Sequence, residues 1–178
     1  MNVLINVVAF KIAWLATIFG SANGLPILGP MVVLIAVIVH LWRADIAIQE
    51  LRLLIVVGLI GLFWDSVILS TGWLVYPNGI FISGVAPYWM FSLWVLFATT
   101  LNVSLRWLRS RLGLAALMGA VFGPMSYIAG ASVGAVKVND PTAVYAILSL
   151  SWLLLLPLVT QLSKHMDGIQ TATEKRGH

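Results

Sequence analysis

The chain contains no cysteine. That absence removes disulfides, thiolate metal sites and cysteine nucleophiles together. Charge is nearly as scarce, with Asp, Glu, Lys and Arg making up 9% of the 178 residues where soluble domains run near ~25%. So few charges cannot cover a water-facing surface. The net charge of +4 is no nucleic-acid signal either, because the basic residues sit at the ends of apolar runs. No H-E-x-x-H, no G-x-S-x-G, no phosphate-binding loop and no paired acidic motif is present, so no metal site, no cofactor and no catalytic residue is assigned from motifs. A basic n-region is also missing, and the run Val3 to Phe19 is long for a signal h-region, so it reads as a retained first span.

What is there is apolar: 61% of the residues are hydrophobic. The stretch Leu51 to Tyr76 organises the rest. It is long enough to cross a bilayer, which takes ~20 residues, and it carries a carboxylate, Asp65. Gly58, Gly61, Asp65 and Gly72 fall on one narrow face at ~100° per residue. Small residues mark contacts between membrane helices, and an acid at that depth costs roughly 2.5–3.5 kcal/mol on insertion scales. Asp65 therefore faces other helices rather than lipid.

Taken in order, six apolar spans are predicted. They are about Val3 to Gly20, Ile27 to Trp42, Leu51 to Tyr76, Tyr88 to Leu108, Leu112 to Val136 and Thr142 to Leu162. Ser21 to Pro26 and Pro77 to Pro87 read as turns, Arg43 to Glu50 as a short polar link, and Asp140 with Pro141 as a helix start. With the N-terminus inside, the inner loops and tail hold Arg43, Arg52, Arg106, Arg109, Arg111, Lys164, Lys175 and Arg176, and the outer loops hold only Lys137. That bias follows the positive-inside rule and favours an even number of spans. Trp73, Tyr76, Tyr88 and Trp89 are expected as an aromatic belt at the outer interface. The fold class is all-α, a polytopic bundle of six transmembrane helices with both termini cytoplasmic. Residues 1–163 form one membrane domain and residues 164–178 a polar cytoplasmic tail.

Asp65 reads in two ways, as a proton relay, cation ligand or catalytic carboxylate, or as a structural acid paired with a serine, an asparagine or Lys11. Lys11, about eight residues into the first span, can snorkel, pair with Asp65 or meet an anionic substrate. Thr99, Asn102 and Arg106 lie near one face of span four, where Asn102 bonds a neighbouring helix or lines a cavity. His40, near the end of span two, is a ligand or an interfacial hydrogen-bonder. In span five Ala116, Gly119, Gly123, Gly130 and Gly134 share a face suited to close packing. Pro124 frees a carbonyl near Ala120, with Ser126 and Tyr127 beside it. Pro157 does the same in span six. A bent span five facing Asp65 and Asn102 is the candidate cavity.

Three motifs carry a family resemblance. They are Asp65-Ser66-Val-Ile-Leu69, Phe97-Ala-Thr-Thr-Leu-Asn102 with Ser104-Leu-x-Trp107, and Gly123-Pro-Met-Ser-Tyr-Ile-Ala-Gly130 with Gly134-Ala-Val. From about Asn6 to Leu162 the chain resembles the bacterial membrane family catalogued as domain of unknown function 2878. The resemblance implies a small multi-pass protein of the bacterial inner membrane without an assigned activity, whose relatives often lie near genes for unusual fatty-acid modification. Three functions stay open. The first is small-solute binding or transport through a polar centre around Asp65 and Asn102. The second is an intramembrane enzyme or accessory protein of lipid modification. The third is a non-catalytic assembly factor. The bilayer is the expected partner and nucleic acid is not; a small-molecule or lipid ligand and a membrane-protein partner are both compatible. A cavity open at the outer face around Trp73, Tyr88 and Trp94 points to solute binding, a side opening toward lipid to the second function, and a packed centre to the third.

Overall fold

The computed structural model describes residues 2–169. Part of the expected tail, with Lys175, Arg176 and His178, lies outside the described residues. Six α-helices carry the chain: α1 (Val3–Ala22), α2 (Leu28–Trp42), α3 (Ala47–Ser70), α4 (Tyr88–Leu101), α5 (Leu112–Ser132) and α6 (Pro141–His165). Four of them, α1, α3, α5 and α6, are long and apolar enough to cross a membrane, while α2 and α4 are apolar but shorter. Local chemistry sets several ends. The Asn2 side chain accepts from the Leu4 N–H at 2.9 Å, and Asp140 accepts from the Ala143 N–H at 3.0 Å with Pro141 opening α6. These caps satisfy donors that a helix start leaves free.

The helices pack as three sequential pairs, α1 on α2, α3 on α4 and α5 on α6. Helix α4 ties the pairs together, because it also packs on α1, α2 and α6. Its burial follows, with Trp89, Trp94, Leu96, Ala98 and Leu101 all inside. Close approach depends on glycine at the seams. A Cβ on Gly61 would collide with the Trp94 indole, and one on Gly58 would meet Phe91 and Val95. On the other side, Gly119 and Gly123 lie against Trp152 of α6. The packing role expected of these four glycines matches their surroundings. Gly130 differs: a Cβ there would meet Val136 at 3.5 Å and Ile18 of α1 at 3.8 Å, which is ordinary contact, so close approach does not depend on it.

Several expected boundaries are corrected. Helix α3 starts at Ala47, which moves Glu50 from the polar link into the first helical turn. It ends at Ser70, and Gly72 turns the chain with φ +72° rather than continuing the Asp65 face. Helix α5 ends at Ser132, so Gly134, with φ +87°, is likewise a turn residue and not part of the packing face. Both glycines occupy the left-handed region that a Cβ disfavours. Helix α4 stops at Leu101 instead of reaching Leu108. The chain makes a turn in which the Leu105 N–H donates to the Thr100 carbonyl at 2.8 Å, then a short 3₁₀ helix (Arg106–Ser110). Apolar periodicity continued through this break and hid it.

One feature lies outside the all-α expectation. Strands β1 (Leu74–Val75) and β2 (Lys137–Val138) pair antiparallel, and Asn139 adds a bond from its N–H to the Trp73 carbonyl at 2.8 Å. This ribbon joins the α3–α4 connection to the α5–α6 connection. It also revises the aromatic belt. Tyr76 and Trp89 are buried, with the Trp89 indole N–H donating to the Asn78 carbonyl at 2.8 Å. Trp73 is exposed, and Tyr88 stacks on Phe81 with ring centroids 4.6 Å apart.

Candidate functional site

Asp65 lies on α3 with no solvent exposure. Its Oδ1 accepts from the Tyr127 hydroxyl at 2.5 Å and the Tyr76 hydroxyl at 2.9 Å, and its Oδ2 from the Trp94 indole N–H at 2.7 Å. Each donor comes from a different place. Tyr127 belongs to α5 and Trp94 to α4, and Tyr76 follows the strand that the ribbon pulls down over the end of α3. The acid is thus a hub joining α3, α4, α5 and the ribbon. Of the alternatives open from sequence, pairing with a serine, an asparagine or Lys11 is not what forms: three neutral donors, two tyrosines and a tryptophan, enclose the carboxylate.

Asn102 belongs to a second hub, 15 residues along α3 from the first, or about 22 Å by helix rise. Its centre is Glu50, also without exposure. Glu50 Oε2 meets His40 Nε2 at 2.8 Å, and Oε1 accepts from Asn102 Nδ2 at 2.6 Å and from the Gly168 N–H at 2.7 Å. Arg109 donates to the Asn102 side-chain oxygen, to Asp167 Oδ2 at 2.6 Å and to the Ser163 carbonyl at 3.1 Å. Arg106 also bonds Asp167. The segment after α6 is therefore strapped across the ends of α2, α3 and α4. A single polar centre containing both Asp65 and Asn102 was expected; the length of α3 separates them into two.

Other expected site residues fall elsewhere. Thr99 turns its hydroxyl onto the Leu96 carbonyl at 2.7 Å, and its own carbonyl accepts from Asn6 Nδ2 at 3.0 Å. It anchors α1. Ser126 donates to the Gly123 carbonyl at 2.6 Å. His40 is buried, with no partner for Nδ1 among the described residues. Among the described residues no cluster of three or more His, Asp or Glu side chains could hold a metal.

The space in the bundle lies beside the Asp65 hub. A cleft of about 450 Å³ runs between α1 and α5, with α4 behind it and α6 at one side. Phe10, Trp14, Leu93, Phe97, Met118 and Phe122 give its walls an apolar character. Helices α1 and α5 flank it without forming a packed pair. Its rim residues Phe122 and Met125 are exposed, as are the apolar side chains Ile12 and Val121 on the same helices. The cleft thus opens on the apolar side of the bundle. Lys11 and Ser126 line it, and so do Trp94 and Tyr127, which reach through the wall to Asp65.

Tyr76, Trp94, Glu50, Arg109 and Asp167 were not singled out as hub residues from sequence. Glu50 carried the one available signal, an acid ten residues from His40 across a tight α2–α3 connection. Trp94 and Asp167 meet their hubs over 29 and 58 residues, and Tyr76 and Arg109, 11 and 7 residues from Asp65 and Asn102, lie beyond a helix end where periodicity gives no guide.

An all-helical bundle with four helices able to cross a bilayer, a fully enclosed acid and a side cleft defines the class. The chain belongs to the family described as protein of unknown function DUF2878, whose model matches residues 3–158. No curated protein and no solved structure matches it.

Proposed function

We propose that this is a multi-pass inner-membrane protein that holds the acyl chain of a lipid in the cleft between α1 and α5. The observation that carries the reading is the contrast between the cleft and the two hubs. Asp65 and Asn102 spend their hydrogen-bonding capacity on protein partners, which leaves little for a polar solute. The cleft instead presents apolar walls toward the side of the bundle, and its volume lies within the ~300–1,000 Å³ typical of small-ligand sites. This combination supports lipid handling over transport of a small solute through a polar centre. A purely structural assembly role draws on the same closed hubs but gives the cleft no use.

All six helices cross the membrane in this reading, with both termini cytoplasmic. Helices α2 and α4 have 15 and 14 residues, about 22 and 21 Å against a core of ~30 Å. After α4 the chain continues through a turn and the 3₁₀ helix, held by protein contacts as irregular backbone at membrane depth must be. Reporter fusions after Gly84 and after Val138 are expected outside, and one at His178 inside. A C-terminus on the outside contradicts the topology. The ligand reading is tested by native mass spectrometry of protein released gently from membranes. A retained lipid-mass adduct is expected in the parent and its loss in Ala129→Phe, which fills the cleft wall. An adduct that persists unchanged in a folded Ala129→Phe variant contradicts the cleft as its site.

A further inference from the structure

Resting on that reading, we infer that the ligand is a single-chain amphiphile ending in a carboxylate, a long-chain fatty acid whose head is met by Lys11. Among the described residues, Lys11 is the one charged side chain lining the cleft, and it makes no ion pair or hydrogen bond with another of them. It lies eight residues above the start of α1, about 12 Å by helix rise. An ammonium group at that depth is costly without an anion or a route to the interface. Asp65 cannot serve as that anion, because it is enclosed by Tyr76, Trp94 and Tyr127.

The chemistry of the ligand follows from what surrounds Lys11. A phosphate monoester carries ~1.5–2 negative charges and is recognised by several donors, whereas this cleft offers one cation. A diacyl lipid brings two chains, twice the apolar volume of one, whereas the cleft holds about 450 Å³. A carboxylate on one chain matches both limits. From the level of Lys11 the channel continues past Ser126 and Tyr127 to Gly130, Ile18 and Val136. Gly130, at ordinary van der Waals spacing from Val136 and from Ile18 of α1, lines that far end.

The test uses the full-length protein in nanodiscs of zwitterionic lipid. A fatty acid brominated along its chain is titrated against the fluorescence of Trp14, Trp94 and Trp152, all of which line the cleft, beside the brominated fatty alcohol of equal length. Saturable quenching by the acid is expected at lower concentration than by the alcohol. Lys11→Met keeps the apolar stem and should weaken acid binding roughly ten- to a hundredfold, the size of a hydrogen bond to a charged group, without moving the alcohol. Lys11→Arg should retain the acid. Equal binding of acid and alcohol in the parent, or unchanged acid binding in Lys11→Met, overturns the head-group assignment and leaves the chain site standing. Stronger competition by a lysophosphatidic acid than by the fatty acid overturns the choice of carboxylate. Saturable quenching by neither brominated probe overturns the chain site itself, and this inference with it.

Discussion

Replacing Asp65 by alanine removes the acceptor for three buried donors at once: the hydroxyls of Tyr76 and Tyr127 and the indole N–H of Trp94. Each buried donor left without a partner costs ~1–3 kcal/mol, so the loss is about 3 kcal/mol or more before any cavity is counted. At ~2–4 °C per kcal/mol for a chain of this size, melting should fall by roughly 6 °C at least. Asp65→Asn is milder. If its oxygen stays between the two tyrosines, its amide faces the Trp94 N–H, two donors meet, and one bond is lost for ~1–3 kcal/mol. Tyr76→Phe leaves the carboxylate two donors and should cost least. The decisive variant removes the hub on both sides. Asp65→Leu with Tyr76→Phe and Tyr127→Phe should melt above Asp65→Leu alone, because deleting both partners of a buried bond is far cheaper than deleting one. Scanning fluorimetry in a mild detergent reads all five variants against the parent. An Asp65→Ala variant that melts with the parent, or a triple variant no better than Asp65→Leu, refutes the hub.

The seams give a second set of expectations. Gly61→Leu and Gly123→Leu should lower the melting temperature strongly, since their side chains would enter Trp94 and Trp152, while Gly130→Ala should be tolerated; equal losses in all three contradict the packing described here. At the other hub, Arg109→Met should cost ~1–3 kcal/mol after allowance for its partial exposure. Arg109→Lys should rescue little, because an ammonium cannot fork between Asn102, Asp167 and Ser163. Limited proteolysis should then cut near residue 166 faster in both variants, and unchanged cutting contradicts the strap.

Much of the architecture was legible because membrane helices announce themselves locally. Long apolar runs gave the helices, and Asp140-Pro141 gave the start of α6. The glycine face of α3 placed Asp65 inside. What stayed hidden was long-range. Nothing in the sequence around Asp65 points to Trp94, 29 residues away, or Tyr127, 62 away. Tyr76 reaches Asp65 only because two-residue strands, too short for any periodic signal, pair across distant connections. Asn102 was assigned to the wrong centre for a related reason. It was read as part of span four, but α4 ends at Leu101, and the break there and the return of residues 166–169 decide its partners. A cavity was expected where span five faces Asp65 and Asn102; the cleft has Ser126 and Tyr127 in its wall but neither of those two, and its place between α1 and α5 depends on how these helices stand apart, which only the packing reveals.

The most direct measurement is an experimental structure of the full chain in lipid nanodiscs, with a rigid antibody fragment to give it mass, at a resolution that shows annular lipids. An elongated density lying between α1 and α5, bounded by Trp94, Phe122 and Trp152 and ending within reach of Lys11, is the expected result. Helix α1 closed onto α5 with no density between them, at a resolution where surrounding lipids are seen, would contradict the cleft as a lipid site.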